Sequence, residues 1–188
     1  MRHVVSLMHI SLDGFAAGPN GEMNWITTDE EIFDDVAVML TTVDTALYGR
    51  VTYQMMESYW PTAPSNPDAT KHDIEHSRWV EAVQKVVFST TMDQAVWNNS
   101  YLAQDPIAVE IARLKQQPGQ GMMIFGSPSL TRAFMREGLI DEYRINVNPV
   151  ILGAGIPYFE AIQAQTNLRL LTSKTFQSGV IGLHYQKV

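Results

Sequence analysis

Apolar strand-like runs separated by helical patterns, with one hairpin pattern at the end, predict an α/β fold: a central mixed β-sheet, flanking helices and a C-terminal antiparallel hairpin. Three observations carry this. Residues 3–11 (HVVSLMHIS), 45–48 (TALY), 85–89 (KVVFS) and 121–126 (GMMIFG) are short and nearly continuous in apolar or β-branched character, as strands buried on both faces are. The stretches between them place apolar residues at helical spacing. Residues 169–176 and 180–188 flank Gln177-Ser-Gly179, a hairpin signal.

The first strand, 3–11, reads as central and ends at Leu12-Asp13-Gly14. Gly18-Pro-Asn-Gly21 is dense turn signal, so a mobile loop covering a site is expected over 13–25. Thr28 and Glu31 have capping-box spacing for a helix over 29–40 that buries Ile32, Phe33, Val36 and Met39. Its first turn carries Asp29, Glu30 and Glu31, which suits the helix dipole. The strand 45–48 reaches Gly49 and then a helix to Trp60 with Val51, Met55 and Tyr59 on one face. A polar loop with three prolines occupies 61–69. A helix over 72–83 leads to the strand 85–89, and 95–102 reads as a short strand. Residues 106–116 form a helix with Ile107, Ile111 and Leu114 aligned. After strand 121–126, Ser127 as N-cap and Pro128 at the first helical position open a helix to about Glu137. Strand 143–147 and a rigid connector, 148–157, precede the hairpin.

This length suits one domain, residues 1–188, with a substantial core. The net charge is −7, from 13 basic and 20 acidic residues without a basic cluster, which argues against a nucleic-acid surface. No run is long and apolar enough to span a bilayer. With no basic segment and apolar core at the N-terminus, a cytoplasmic protein is expected. The absence of cysteine excludes disulfides, thiolate metal sites and cysteine nucleophiles.

The stretch 45–53 (TALYGRVTY) carries the strongest chemical signal. A strand that ends where a helix begins leaves N–H groups pointing outward with the positive end of the dipole behind them, a ready anion site. Arg50 adds a fork of donors suited to phosphate and Thr52 a hydroxyl. Among the first seventy residues the basic side chains are Arg2 and Arg50, against ten acidic ones. A second such junction follows Gly126, and in open α/β sheets ligands bind beyond the carboxyl ends of the strands. Together they point to a phosphate-bearing ligand of nucleotide type.

Taken in order, several segments resemble the dihydrofolate-reductase-like superfamily, in particular the C-terminal reductase domain of riboflavin-biosynthesis deaminase-reductases. They are Ile10-Ser-Leu-Asp-Gly14, Trp25, Tyr48-Gly-Arg-Val-Thr-Tyr53, Val86-Val-Phe-Ser-Thr90, Ile124-Phe-Gly-Ser127, Gly138-Leu-Ile-Asp-Glu142 and Pro149-Val-Ile-Leu-Gly-Ala-Gly155, with Pro157 and Phe159 beyond. The resemblance implies a three-layer dihydrofolate-reductase-like fold and an NADPH-dependent reductase. It assigns cofactor binding to Gly49, Arg50, Val51 and Thr52, with Arg50 near the 2′-phosphate. Ser89 and Thr90 lie along the adenosine end, and Gly126, Ser127 and Leu130 at the pyrophosphate. Dihydrofolate reductases carry a glycine pair where this chain has Gly126-Ser127-Pro128, and Pro128 supplies no N–H. Ser127 Oγ can replace that donor or cap the helix.

For the proton donor the resemblance points to an acid at the start of the helix after the Trp-containing loop, the place of Asp29 and Glu30. Both equally suit first-turn charge. Asp13, at the end of the first strand, is the alternative acid, with a turn role before Gly14 as the favoured reading. His9, Trp25 and Tyr53 are candidate substrate contacts, with core burial as their competing fate. His72-Asp-Ile-Glu-His76 matches the H-x-x-E-H metalloprotease pattern, but its segment is polar and no third ligand stands at a convincing position, so no metal is expected.

The sequence therefore reads as an NADPH-dependent reductase of a flat heterocycle of pteridine or pyrimidine type, binding a small-molecule substrate and forming a homodimer as the resembling family does. The rival is a nucleotide-binding protein without effective reductase activity.

Overall fold

The computed structural model describes residues 2–160, 162 and 164–188. Its elements in order are β1 (Val4–Ser11), β2 (Phe15–Ala17), α1 (Glu30–Leu40), β3 (Val43–Gly49), α2 (Arg50–Tyr59), α3 (Lys71–Ala82), β4 (Gln84–Phe88), β5 (Ser100–Leu102), α4 (Ile107–Gln116), β6 (Gly121–Phe125), α5 (Pro128–Arg136), β7 (Glu142–Asn148), β8 (Ile156–Pro157), β9 (Leu168–Thr175) and β10 (Ile181–Lys187).

Eight strands form one sheet in the order β5-β4-β3-β6-β1-β7-β10-β9. The strands from β5 to β7 are parallel, and β10 adds antiparallel to β7 and to β9. The near-continuous apolar runs follow from burial on both faces. Val5, Leu7, Ala46, Tyr48, Val87, Met123 and Phe125 face the layer of α1, α2 and α3, while Val4, Met8, Leu47, Val86, Met122 and Ile124 face α4 and α5. The result is the dihydrofolate-reductase-like arrangement, with the C-terminal hairpin at one edge.

Several local expectations are corrected. The N-cap of α1 is Asp29, whose Oδ1 accepts the Ile32 N–H at 2.8 Å, not Thr28. Glu31 accepts the Gln177 N–H instead of closing a capping box. A capping box does form at α3, between Thr70 and Asp73. Phe33 and Val36 are half-buried: Val36 packs at the margin of the core on the sheet, while Phe33 turns toward α3 and stacks on His72 with ring centroids 3.8 Å apart. The segment 13–25 is not free loop throughout: β2 within it pairs with β8, which lies inside the connector 148–157. Residues 63–65 of the proline-containing loop form a single 3-10 turn.

Candidate active site

The register sets Gly49 beside Phe88, Leu7 beside Phe125 and Ser11 beside Asn148. The carboxyl ends of β3, β4, β6, β1 and β7 therefore share one edge of the sheet. Two helix N-termini meet there. Gly49 is the N-cap residue of α2 and Ser127 that of α5, and neither helix has a side-chain cap. The first N–H groups of both are left for another partner. Ser127 has φ +52 and Gly126 φ +55, so two consecutive left-handed residues turn the chain sharply out of β6. A Cβ added at Gly126 meets nothing within 4 Å, so this turn opens onto free space.

Ser127 Oγ neither caps α5 nor stands free. It accepts the Gly49 N–H at 3.0 Å and so ties the two N-termini together. A Cβ at Gly49 would lie 2.6 Å from that oxygen and 3.6 Å from Leu130 Cβ, which explains the glycine by close approach rather than by backbone angle. The Ser127 hydroxyl keeps its proton for a ligand, since its lone pair takes the bond.

Of the two early cations, Arg2 is buried, pairs with Asp44 and donates to Thr45 Oγ1 at 2.6 Å and Gln120 O at 2.9 Å. Arg50 is exposed at the first turn of α2. Val51 is exposed beside it, whereas Thr52 is buried. Ser89 closes the turn after β4 by accepting the N–H groups of Thr91 and Met92, with Thr90 exposed at its side. Leu130 packs into the core behind Gly49. The structure thus gathers Gly49, Arg50, Gly126 and Ser127 around one opening and leaves Thr52 and Leu130 as its backing.

The acid candidates separate by what their oxygens do. Asp29 also accepts the Ser178 N–H at 3.2 Å, so both its oxygens are used; hydrogen bonding from Ser178, then from Ile32, holds its carboxyl below the usual carboxylate range. Asp13 accepts the N–H groups of Leu152 and Gly153 at 3.1 and 2.8 Å; hydrogen bonding from Ser11, then from these amides, holds its carboxyl low as well. Both organise turns and stay ionised. Glu30, the first residue of α1, is exposed on the rim of the cavity between α1 and α3.

Among the substrate candidates, His9 lies at the carboxyl end of β1, where burial lowers its pKa to about 4 and keeps the ring neutral. Its nitrogens face the amides of Asn146 and Asn148 at 3.3 and 3.5 Å, and Asn148 Oδ1 accepts the Thr27 N–H. The two asparagines were not singled out from sequence, though polar residues at alternate positions of an otherwise apolar strand were a usable signal. Trp25 is half-buried and donates to Glu22 O. Tyr53 is a core residue with no exposure, its Oη accepting the Trp97 N–H at 2.8 Å. It is not brought to the opening.

Among the described residues no three His, Cys, Asp or Glu side chains gather where they could hold a metal ion, and none of the helices is long and apolar enough to cross a membrane.

Known proteins share this fold. A putative riboflavin biosynthesis protein from Shewanella sp. PV-4 superposes with a TM-score of 0.78 at 21% identity, over 100% of this chain and 99% of that one. Dihydrofolate reductase from Enterococcus faecalis superposes with a TM-score of 0.62 at 12% identity, over 98% and 96%. By sequence, the uncharacterized protein YyaP of Bacillus subtilis (strain 168) is 35% identical over 187 residues, 98% of this chain and 94% of its own. The model of the RibD C-terminal domain matches residues 2–182, so the two tied helix N-termini, the Gly126 turn and the sheet that carries them are those of a chain that belongs to the RibD C-terminal domain family.

Proposed function

We propose that this chain is an NADPH-dependent reductase of a flat heterocyclic substrate. The observation that carries the reading is the convergence of two uncapped helix N-termini, joined by the Ser127–Gly49 hydrogen bond, around an opening flanked by exposed Arg50. These residues fit a dinucleotide phosphate. The N–H groups of α2's first turn, the Arg50 guanidinium, the Gly126 turn and the Ser127 hydroxyl are donors, and the empty volume at Gly126 admits the close approach of a pyrophosphate. NADPH when bound supplies a hydride. The protein's share is to hold the phosphates, place the ring substrate near the carboxyl ends of β1 and β6, exclude water and deliver a proton. Glu30 is the acid of choice, because the oxygens of Asp29 and Asp13 are engaged by backbone amides. The two related proteins of riboflavin and folate chemistry support a heterocyclic substrate. The reading includes a homodimer formed along the open β9 edge of the sheet.

The test is titration of NADPH and NADH, read by nicotinamide fluorescence, on wild type and Arg50→Ala, followed by NADPH oxidation over a panel of pteridines and pyrimidines. NADPH bound tighter than NADH, and lost on Arg50→Ala, is the expected result. Binding of neither cofactor would sink the reading. NADPH binding with no oxidation across the panel favours the second reading, a nucleotide-binding protein, for which Pro128's missing N–H in the cradle is the specific support.

A further inference from the structure

Between α1 and α3 lies a cavity of about 510 Å³, within the range typical of small-molecule sites, about 300–1,000 Å³. Phe33, Ala37 and Leu40 wall it on α1; His72, His76 and Trp79 wall it on α3. Its α3 wall packs on the last residue of β6. The His76 and Trp79 rings lie 6.4 and 5.4 Å from that of Phe125, the residue directly before the Gly126 turn.

Two independent features define what the cavity accepts. The first is His76, which is 8% exposed and whose Nδ1 is enclosed without a hydrogen-bond partner. The ring packs 4.2 Å from Trp60 and 5.7 Å from Trp79, centroid to centroid. Burial lowers its pKa to about 4, so it is a neutral imidazole with one donor and one acceptor. Native interiors seldom leave such an atom unpaired. A half-turn of the ring exchanges Nδ1 with Cδ2 and barely changes its outline, which lets either edge meet a ligand. The second feature is charge. Glu30, Asp34 and Glu75 line the cavity against one ammonium, Lys71, itself 3.8 Å from Glu75. Three carboxylates around a low-dielectric slot repel phosphate and carboxylate groups and favour cations.

We propose that the α1–α3 cavity binds a planar, unphosphorylated, cationic or neutral aromatic group of the substrate, with the His76 imidazole as its buried hydrogen-bonding contact. This rests on the reductase reading for the word substrate, and it deepens that reading. The chain takes a ring system without a phosphate, and the phosphate-binding donors at the carboxyl edge are left to the cofactor.

A matched pair of probes tests this on the full chain: 4-aminoquinoline, a planar cation, and quinoline-4-carboxylate, the same ring system with the opposite charge. Uridine 5′-monophosphate serves as a phosphorylated pyrimidine. Binding is read by tryptophan quenching and calorimetry, with and without saturating NADPH. The expected result is that 4-aminoquinoline binds at least tenfold tighter than either anion. His76→Phe, which keeps the ring and removes its nitrogens, is expected to weaken it about tenfold. Asp34→Asn, on an exposed helix face, is expected to weaken it severalfold and reports even if His76→Phe does not fold. Equal or tighter binding of either anion, no binding of 4-aminoquinoline, or both variants binding within twofold of wild type overturns the proposal. The reductase reading fails separately, through the NADPH titration. A chain that binds 4-aminoquinoline through His76 but takes no NADPH supports the cavity and overturns the reductase.

Discussion

Ser127 and Gly49, 78 residues apart in sequence, are joined by a hydrogen bond of 3.0 Å from the Gly49 N–H to Ser127 Oγ. Ser127 makes this bond from a left-handed backbone, φ +52, that costs a non-glycine residue about 1 kcal/mol or more. The contact and the strain oppose each other, and two substitutions separate them. Ser127→Ala loses the bond and keeps the strain. Ser127→Gly loses the bond and relieves the strain. Ser127→Ala is therefore expected to be less stable than Ser127→Gly by about 1 kcal/mol in denaturant titration. Equal stabilities would show that the backbone at 127 is not strained.

Stability is expected to fall as pH drops from about 6.5 to about 4. His9 and His76 are both held neutral by burial, with pKa values pushed down to about 4. The unfolded chain takes up those protons near pH 6.5 while the folded chain resists, so it binds more protons when unfolded and loses stability on acidification. Each histidine accounts for a loss on the order of 3 kcal/mol across the window, its pKa lowered from 6.5 to about 4. The melting temperature of His76→Phe should fall less steeply over this range than that of wild type. Parallel curves would mean that His76 does not titrate there.

Asp29 and Glu30 are adjacent but perform different tasks. Asp29 caps α1 and holds the turn of the C-terminal hairpin through Ser178, so Asp29→Ala is expected to cost about 1–2 kcal/mol of stability. Glu30 is exposed, so Glu30→Gln should stay within about 0.5 kcal/mol of wild type. On the proposed mechanism Glu30→Gln should also slow heterocycle reduction by at least tenfold while leaving NADPH affinity unchanged. Full activity in Glu30→Gln would remove it as the acid.

How far this could be read from sequence depends on the range of the forces involved. The strands β1, β3, β4 and β6 were legible because burial on both faces writes a continuous apolar run. The β2–β8 pair was not, because two or three residues such as Ile156-Pro157 carry no periodicity and pair only across 139 or more residues of chain. Arg50 was legible as an unusual cation at a junction, whereas the use of Ser127 Oγ depends on a partner on another element. The start of α1 was misplaced by one residue because Thr28 and Asp29 are both good caps. Asp29 is fixed by Ser178, near the other end of the chain. The H-x-x-E-H spacing did mark a real cluster, in which His72 stacks on Phe33 and His76 packs on Trp60.

The C-terminal hairpin carries the last prediction. β9 is the outermost strand of the sheet and all eight of its residues are exposed. Leu168, Leu170 and Leu171 lie on it and Ile181 beside it on β10, each at least 36% exposed. An open edge with this much apolar surface invites pairing with another chain. A second copy of the chain would satisfy both the unpaired backbone of β9 and the leucines. Light scattering after size exclusion is expected to give a dimer for wild type. Leu170→Lys, which places a charge on the edge, is expected to give a monomer with the fold retained by circular dichroism. A monomeric wild type would overturn the dimer, and a dimeric Leu170→Lys would place its interface away from this edge.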